Sequence, residues 1–211
     1  IGFVTHNDWK PTANRFGALS FIYGTLVTSF IALVLAVPVA ILIALFLNEA
    51  APPRIGRALG YVVDLLAAVP SVVYGLWGVF VLVPFLANHV WQPLSNHAGF
   101  IPVFSHFASG RDFATAGLIL ALMITPVISA VSREVFASVP DEEREAALAL
   151  GATRWEMMRT AVLPRSKSGV VAAVMLGFGR AVGETIAVAY LIGGGPHKNT
   201  AHLFQQGSSV A

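Results

Sequence analysis

The chain has 211 residues, of which 56% are hydrophobic and 11% charged, with a formal net charge of +2 and no cysteine. A soluble domain carries roughly 25% charged residues, so this composition excludes an ordinary water-soluble globule. The small net charge gives no reason to expect a nucleic-acid or acidic partner, and the lack of cysteine fits any redox compartment.

A bilayer is crossed by about 20 consecutive apolar residues, and four runs qualify. The first, 19–47, carries no charge; the second, 59–85, carries Asp64; the third, 113–135, carries none as far as Ser132; the fourth, 168–192, carries Arg180 and Glu184. The runs are continuously apolar rather than alternating, and open strands cannot cross hydrocarbon. The expected fold is therefore an all-α integral membrane protein, a bundle of transmembrane helices. Pro38, Pro70 and Pro126 fall inside the expected spans and predict kinks. Asp64 is expected near the cytoplasmic end of the second span, snorkelling or pairing with a loop arginine. The chain opens at Ile1 with no signal peptide and closes in polar, Gly/Ser-containing sequence. It is expected to be truncated at both ends.

Arginine and lysine set the orientation. Arg54 and Arg57 follow the first span, and Arg133, Arg144, Arg154, Arg159, Arg165 and Lys167 lie between the third and fourth. The opposite side has Lys10, Arg15, Arg111 and Lys198. The richer side is expected in the cytoplasm, and the loop 84–112 and the tail after Gly193 outside. His89, His97 and His106 of that outer loop do not share a helix face, so they predict solvated histidines rather than a metal site.

Residues 137–167 form a polar island in this apolar chain. Pro140 suits a helix start, and Asp141, Glu142 and Glu143 complement the positive helix N-terminus. Gly151 is placed to stop that helix, and Thr153 with Glu156 reads as a capping box starting a second, which is expected to end near Pro164. The predicted structure is a cytoplasmic helix–turn–helix elbow. Ala146 and Ala147 present almost no side chain, which leaves room for another protein's surface.

This island resembles the EAA loop of ABC importer permeases. The pattern runs Glu-Ala-Ala, three residues, Gly, nine residues, Ile, one residue, Leu-Pro. Here it is Glu145-Ala146-Ala147, Gly151, Ala161 in place of the isoleucine, and Leu163-Pro164. The run from Pro70 to Gly78, PSVVYGLWG, is similar to the signature of phosphate-specific permeases, and that from Gly179 to Thr185, GRAVGET, resembles the GRA-x-GET motif of their PstC-type subunit. The resemblance covers about residues 59–193. It implies one transmembrane permease domain over 1–211 in the inner membrane, part of a six-span subunit. It implies that Glu145, Ala146, Ala147, Gly151, Leu163 and Pro164 couple to an ATPase, and that Arg180, Glu184 and Thr185 border the path of inorganic phosphate. The implied partners are a second, PstA-type permease, two ATPase subunits that bind the ATP, and a periplasmic or lipid-anchored phosphate-binding protein. The chain itself is expected to need no cofactor. A permease for another small solute or anion, such as sulfate, is the alternative.

The charges in the fourth run point the same way on physical grounds. A charge at the centre of a bilayer costs about 2.5–3.5 kcal/mol even on the gentler insertion scale, so such residues face a bundle interior or a wet path. Arg180 and Glu184, four residues apart near the middle of a span, are expected on one helix face. A self-satisfied pair that fixes helix packing is the competing explanation. Gly177, Gly179 and Gly183 suit close helix packing. An enzyme would need a nucleophile–base or metal constellation, and the chain has no H-E-x-x-H, no G-x-S-x-G and no G-x-x-x-x-G-K-[ST]. A passive channel would not need the elbow.

The orientation is open to direct test. A single cysteine replacing Ser95 should react with an impermeant thiol reagent added to intact spheroplasts. Reaction only after the membrane is broken would invert the topology.

Overall fold

The computed structural model describes residues 18–93 and 111–192, and helix is the only regular structure among them. In chain order the helices are α1 (Leu19–Leu45), α2 (Pro53–Ala67), α3 (Ser71–Trp77), α4 (Val83–Leu86), α5 (Phe113–Ala137), α6 (Asp141–Ala149), α7 (Arg154–Met157), α8 (Leu163–Gly183) and α9 (Ile186–Ile192). Wide π-helical turns occupy Phe46–Ala50, Gly78–Leu82, Ala87–Trp91 and Met158–Val162. Four continuous stretches are long and apolar enough to cross a membrane: Phe21–Ala50, Ser71–Val90, Phe113–Ala137 and Arg154–Gly183. Most of the expected outer loop, with Ser95, His97 and His106, lies outside the described residues, as do Lys10, Arg15 and Lys198.

Two expected spans have different bounds. The apolar run 59–85 is two helices, because α2 ends at Ala67 and Pro70 stands at the N-cap of α3. The residue before a proline is pushed out of the α region, so the helix stops where Val69 meets Pro70. The helix expected over 168–192 begins earlier, running from Arg154 through Met158–Val162 into α8, and it stops at Gly183. Glu184 and Thr185 lie outside helix, and α9 follows.

The wide turns have one cause. Each ends two residues before a proline: Pro52, Pro84, Pro93 and Pro164. A proline supplies no N–H and its ring strikes the carbonyl four residues back. In each case that carbonyl, on Asn48, Phe80, His89 or Thr160, falls inside the widened turn. The N–H just before the proline closes the turn by bonding a carbonyl five residues back: Ala51 to Phe46, Val83 to Gly78, Gln92 to Ala87, and Leu163 to Met158. The second elbow helix thus does not end near Pro164. It widens and continues. Pro38 and Pro126 lie inside α1 and α5, with helix on both sides.

The chain forms two compact units. Among the described residues, one comprises 18–32, 70–93, 111–121 and 181–192. Within it α3 packs on α9 through glycines. A Cβ on Gly75 would lie 2.9 Å from the Ala187 Cα, and one on Gly78 would collide with the Ile119 side chain. Asp112 caps α5, its Oδ1 accepting the Thr115 N–H at 2.7 Å. Thr28 satisfies its hydroxyl on the Gly24 and Thr25 carbonyls of its own helix. His89 stacks on Phe85 one turn away.

The other unit comprises residues 33–69 and 122–180. Its core joins Ala44 and Leu45 of α1, Phe136 of α5, Val139, Met157 of α7, and Met158 and Val162 of the turn beyond it. Asp64 pairs with Arg133 of α5, both carboxylate oxygens 3.0 Å from Nη2. A Cβ on Gly60 would meet the Arg133 guanidinium. Gly56, Arg57, Gly60, Tyr61, Asp64 and Arg133 border a cavity of about 270 Å³. Gly177 packs against Ile128, but a Cβ on Gly179 or Gly183 would meet nothing within 4 Å. Of the three glycines expected at a helix contact, only Gly177 makes one among the described residues.

The same substitution should thus act oppositely at two glycines. Gly75→Ala places its methyl against backbone that cannot rotate away and should cost about 1–3 kcal/mol. Gly179→Ala, in open space within a helix, should be neutral or stabilise by about 0.5–1 kcal/mol. Thermal unfolding of the two variants in detergent would order them, and equal midpoints would contradict the packing.

Candidate functional site

The elbow is built by local chemistry. Pro140 stands at the N-cap of α6, and Asp141, Glu142 and Glu143 fill its first turn. At the other end Gly151 has φ +87°. Its N–H bonds the Leu148 carbonyl at 3.0 Å, and the Ala152 N–H reaches back to the Ala147 carbonyl at 3.2 Å. This is the paired closure that a left-handed residue makes possible at a helix end. Thr153 and Glu156 then form the reciprocal capping box. The Glu156 N–H donates to Thr153 Oγ1 at 3.3 Å, and the Thr153 N–H to Glu156 Oε2 at 2.8 Å.

The surface of the elbow is apolar at its tip. Leu150 is 90% exposed, and Leu148 and Trp155 are also exposed, beside Glu145, Ala146 and Ala149. The two tandem alanines do not behave alike. Ala146 faces solvent, whereas Ala147 packs against the core cluster that contains Phe136 and Met157. Only Ala146 leaves the room expected of both. Leu148 and Leu150 were missed as surface residues. Their signal was the leucine pair closing an otherwise polar helix. Leu163 and Pro164 stand where the Met158–Val162 turn passes into α8, Leu163 partly buried on the same cluster.

Beneath the elbow lies a residue that sequence reasoning counted only as a charge. The Arg144 guanidinium donates to the Phe136 carbonyl at 2.7 Å, to the Val139 carbonyl, and to Asp141 Oδ1 at 2.9 Å. It also donates to Glu49 Oε1, 3.0 Å from Nη2 and 3.3 Å from Nε. The Glu49 side chain is only 5% exposed. Asn48 Nδ2 donates to that oxygen too, at 2.7 Å.

The expected anion-path residues straddle the end of α8. Arg180 is in its last turn, and its Nε is buried with no hydrogen-bond partner among the described residues. Because the helix stops at Gly183, Arg180 and Glu184 are not one turn apart on a continuous helix, and the shared face expected from their spacing is lost. Glu184 instead turns to the helix that follows: its Oε1 accepts the Ala187 N–H in the first turn of α9 at 3.1 Å. Thr185, just before α9, is exposed, and its carbonyl accepts the Ala189 N–H at 3.1 Å.

The model of the binding-protein-dependent transport system inner membrane component family matches residues 16–210. The chain belongs to that family. It is a multi-pass component of the inner membrane, and the family is one of transport components rather than enzymes. It is 47% identical to the phosphate transport system permease protein PstC of Pasteurella multocida, across 100% of this chain and 67% of that protein. It is 42% identical to the PstC of Xylella fastidiosa strain 9a5c, across 100% of this chain and 66% of that protein. Against PstC 2 of Mycobacterium tuberculosis the identity is 48%, over 93% of this chain and 61% of the relative. The chain spans about two thirds of the length of these curated relatives.

Gly151 offers a test of the elbow that needs no partner. No atom lies within 4 Å of an added Cβ, so backbone conformation alone decides the outcome. Gly151→Val forces a β-branched residue into the left-handed region, at about 1–2 kcal/mol, which is roughly a 5–30-fold change in local opening. Trypsin should then cut at Arg154 faster by about that factor. Gly151→Asn, which tolerates the conformation, should stay near the wild-type rate.

Proposed function

We propose that the chain is the permease subunit of an ATP-driven phosphate importer. Similarity to phosphate transport system permeases along the whole chain carries this reading. Its partners would be a second, PstA-type permease, two ATPase subunits that bind and hydrolyse ATP, and an external phosphate-binding protein. The exposed tip around Leu150 and Ala146, with Glu145 beside it, would seat on the ATPase. Closure of the ATPases would push the elbow, and α8 would carry the displacement toward Arg180.

Anion selection follows from the chemistry of the charged residues. Arg180 has a buried Nε in want of an acceptor, and a guanidinium suits a tetrahedral oxyanion. Guanidinium alone would take sulfate as readily as phosphate. Glu184 supplies the difference, with Thr185 beside it on the path. Near neutral pH phosphate keeps a proton that a carboxylate can accept, while sulfate meets that carboxylate with no donor between them. Leaving buried polar groups unpaired is what makes such rejection strong.

Glu184→Gln is a clean probe, because the amide oxygen can still accept the Ala187 N–H while the charge is gone. Phosphate uptake by membranes carrying the whole complex should fall in this variant, and sulfate should compete more strongly. Arg180→Ala should abolish uptake with the complex still assembled. Unchanged uptake with unchanged sulfate rejection in Glu184→Gln would reduce that residue to a helix cap. Wild-type membranes that import sulfate but not phosphate would replace the substrate.

A further inference from the structure

The elbow has two routes into the membrane-spanning helices. One is covalent: α7 widens through Met158–Val162 and becomes α8. The other is the Arg144 guanidinium. One planar group there joins three segments: the C-terminal carbonyls of α5 through Phe136, the first turn of α6 through Asp141, and the end of the first span through Glu49. α5 and α6 are also joined by a short stretch of chain, but Glu49 is 95 residues away in sequence. The first span also meets the elbow region in the apolar cluster, through Ala44, Leu45 and the partly buried Ile41. Apolar contacts resist separation but tolerate sliding, since dispersion and burial are non-directional. A guanidinium with five donors in a fixed fork sets register as well as distance. Both charges are largely buried, 14% and 5% exposed, so the pair is little screened and neither partner can turn to water.

We propose that Arg144, held by Glu49, is the positioning residue that makes the first span follow the elbow. In every ATP-driven step the Phe46–Ala50 turn would move with α6 instead of sliding past it. Neither residue need touch the transported anion or the ATPase. The inference rests on the proposed importer function, and its test separates the two.

The full complex would be reconstituted in vesicles with Glu49→Gln, Arg144→Gln and the double substitution, and phosphate uptake and ATP hydrolysis measured together. Each single variant should copurify with the ATPase and hydrolyse ATP within about twofold of wild type. Phosphate moved per ATP should fall about fivefold or more. The double variant should be no worse than the worse single one, because both remove one interaction. Multiplying losses, or a wild-type ratio in the single variants, would overturn the proposal. A readout independent of the substrate is a cysteine at Leu47, a residue buried at the end of the first span. ATP with vanadate should change its alkylation rate in an otherwise wild-type complex, and Glu49→Gln should abolish that change. If the change survives, Arg144 and Glu49 only stabilise the fold. If the wild-type complex changes its alkylation rate but moves no phosphate, the substrate reading fails while the positioning role stands.

Discussion

Hydrocarbon offers no partner to a backbone N–H or carbonyl, and each one left unsatisfied there costs several kcal/mol. The wide turns in the described spans answer that constraint. Four prolines follow wide turns, and in each the N–H just before the proline finds a carbonyl five residues back. Thr25 and Thr28 return their hydroxyls to carbonyls of α1. Where α8 stops and α9 starts, the fresh N-terminus needs an acceptor, and Glu184 provides one. A carboxylate deep in an apolar segment is thus partly explained by the break beside it. The helix N-terminus is a region of positive potential, which lowers the cost of holding a negative charge there.

Outside the apolar segments the constraint reverses. The elbow meets water, so its capping can be ordinary: a left-handed glycine, a threonine–glutamate box and acidic residues in the first turn. What it cannot leave to chance is attachment. A polar helix with no buried residue of its own gains little from hydrophobic packing, so Ala147 contributes one small apolar contact and Arg144 supplies the directional one. Breaking a buried ion pair by removing one partner is far more damaging than replacing both, which gives such a clamp its all-or-none character.

The sequence made the elbow legible because its signals are local. Pro140, Gly151 and Thr153 each act on backbone within a few residues, and each sits where its chemistry places it. The first and third spans were legible because nothing interrupts them. The second and fourth were not. Hydropathy sees Val69, Pro70 and Ser71 as a minor dip within an apolar run, yet the backbone restriction at Pro70 ends a helix there. The PSVVYGLWG and GRAVGET motifs each carry a break or a close contact, Pro70 and Gly75 in the first and Gly183 in the second, that residue spacing on an ideal helix conceals. The Arg144–Glu49 pair had no local signal, since a contact spanning 95 residues exists only once the helices pack. The difference between Ala146 and Ala147 also depends on packing. Two identical residues in sequence point to opposite environments because successive helical positions are about 100° apart.

The geometry of α8 ties the two ends of the chain's chemistry together. Its 21 residues span roughly 30 Å at 1.5 Å per residue, about the thickness of the hydrocarbon core. At one end is the wide Met158–Val162 turn, fed by the elbow; at the other are Arg180 and the stop at Gly183. A wide turn is a place where a helix can change direction without losing its hydrogen bonds. At Gly183 an added Cβ would meet nothing within 4 Å. Between them the helix holds no proline after Pro164 and no widened turn. The cap made by Glu184 on Ala187 belongs to the next helix, beyond the stop at Gly183. The guanidinium and the carboxylate thus fall on either side of a single helix break, which is why a spacing of four residues does not place them one turn apart on a continuous helix.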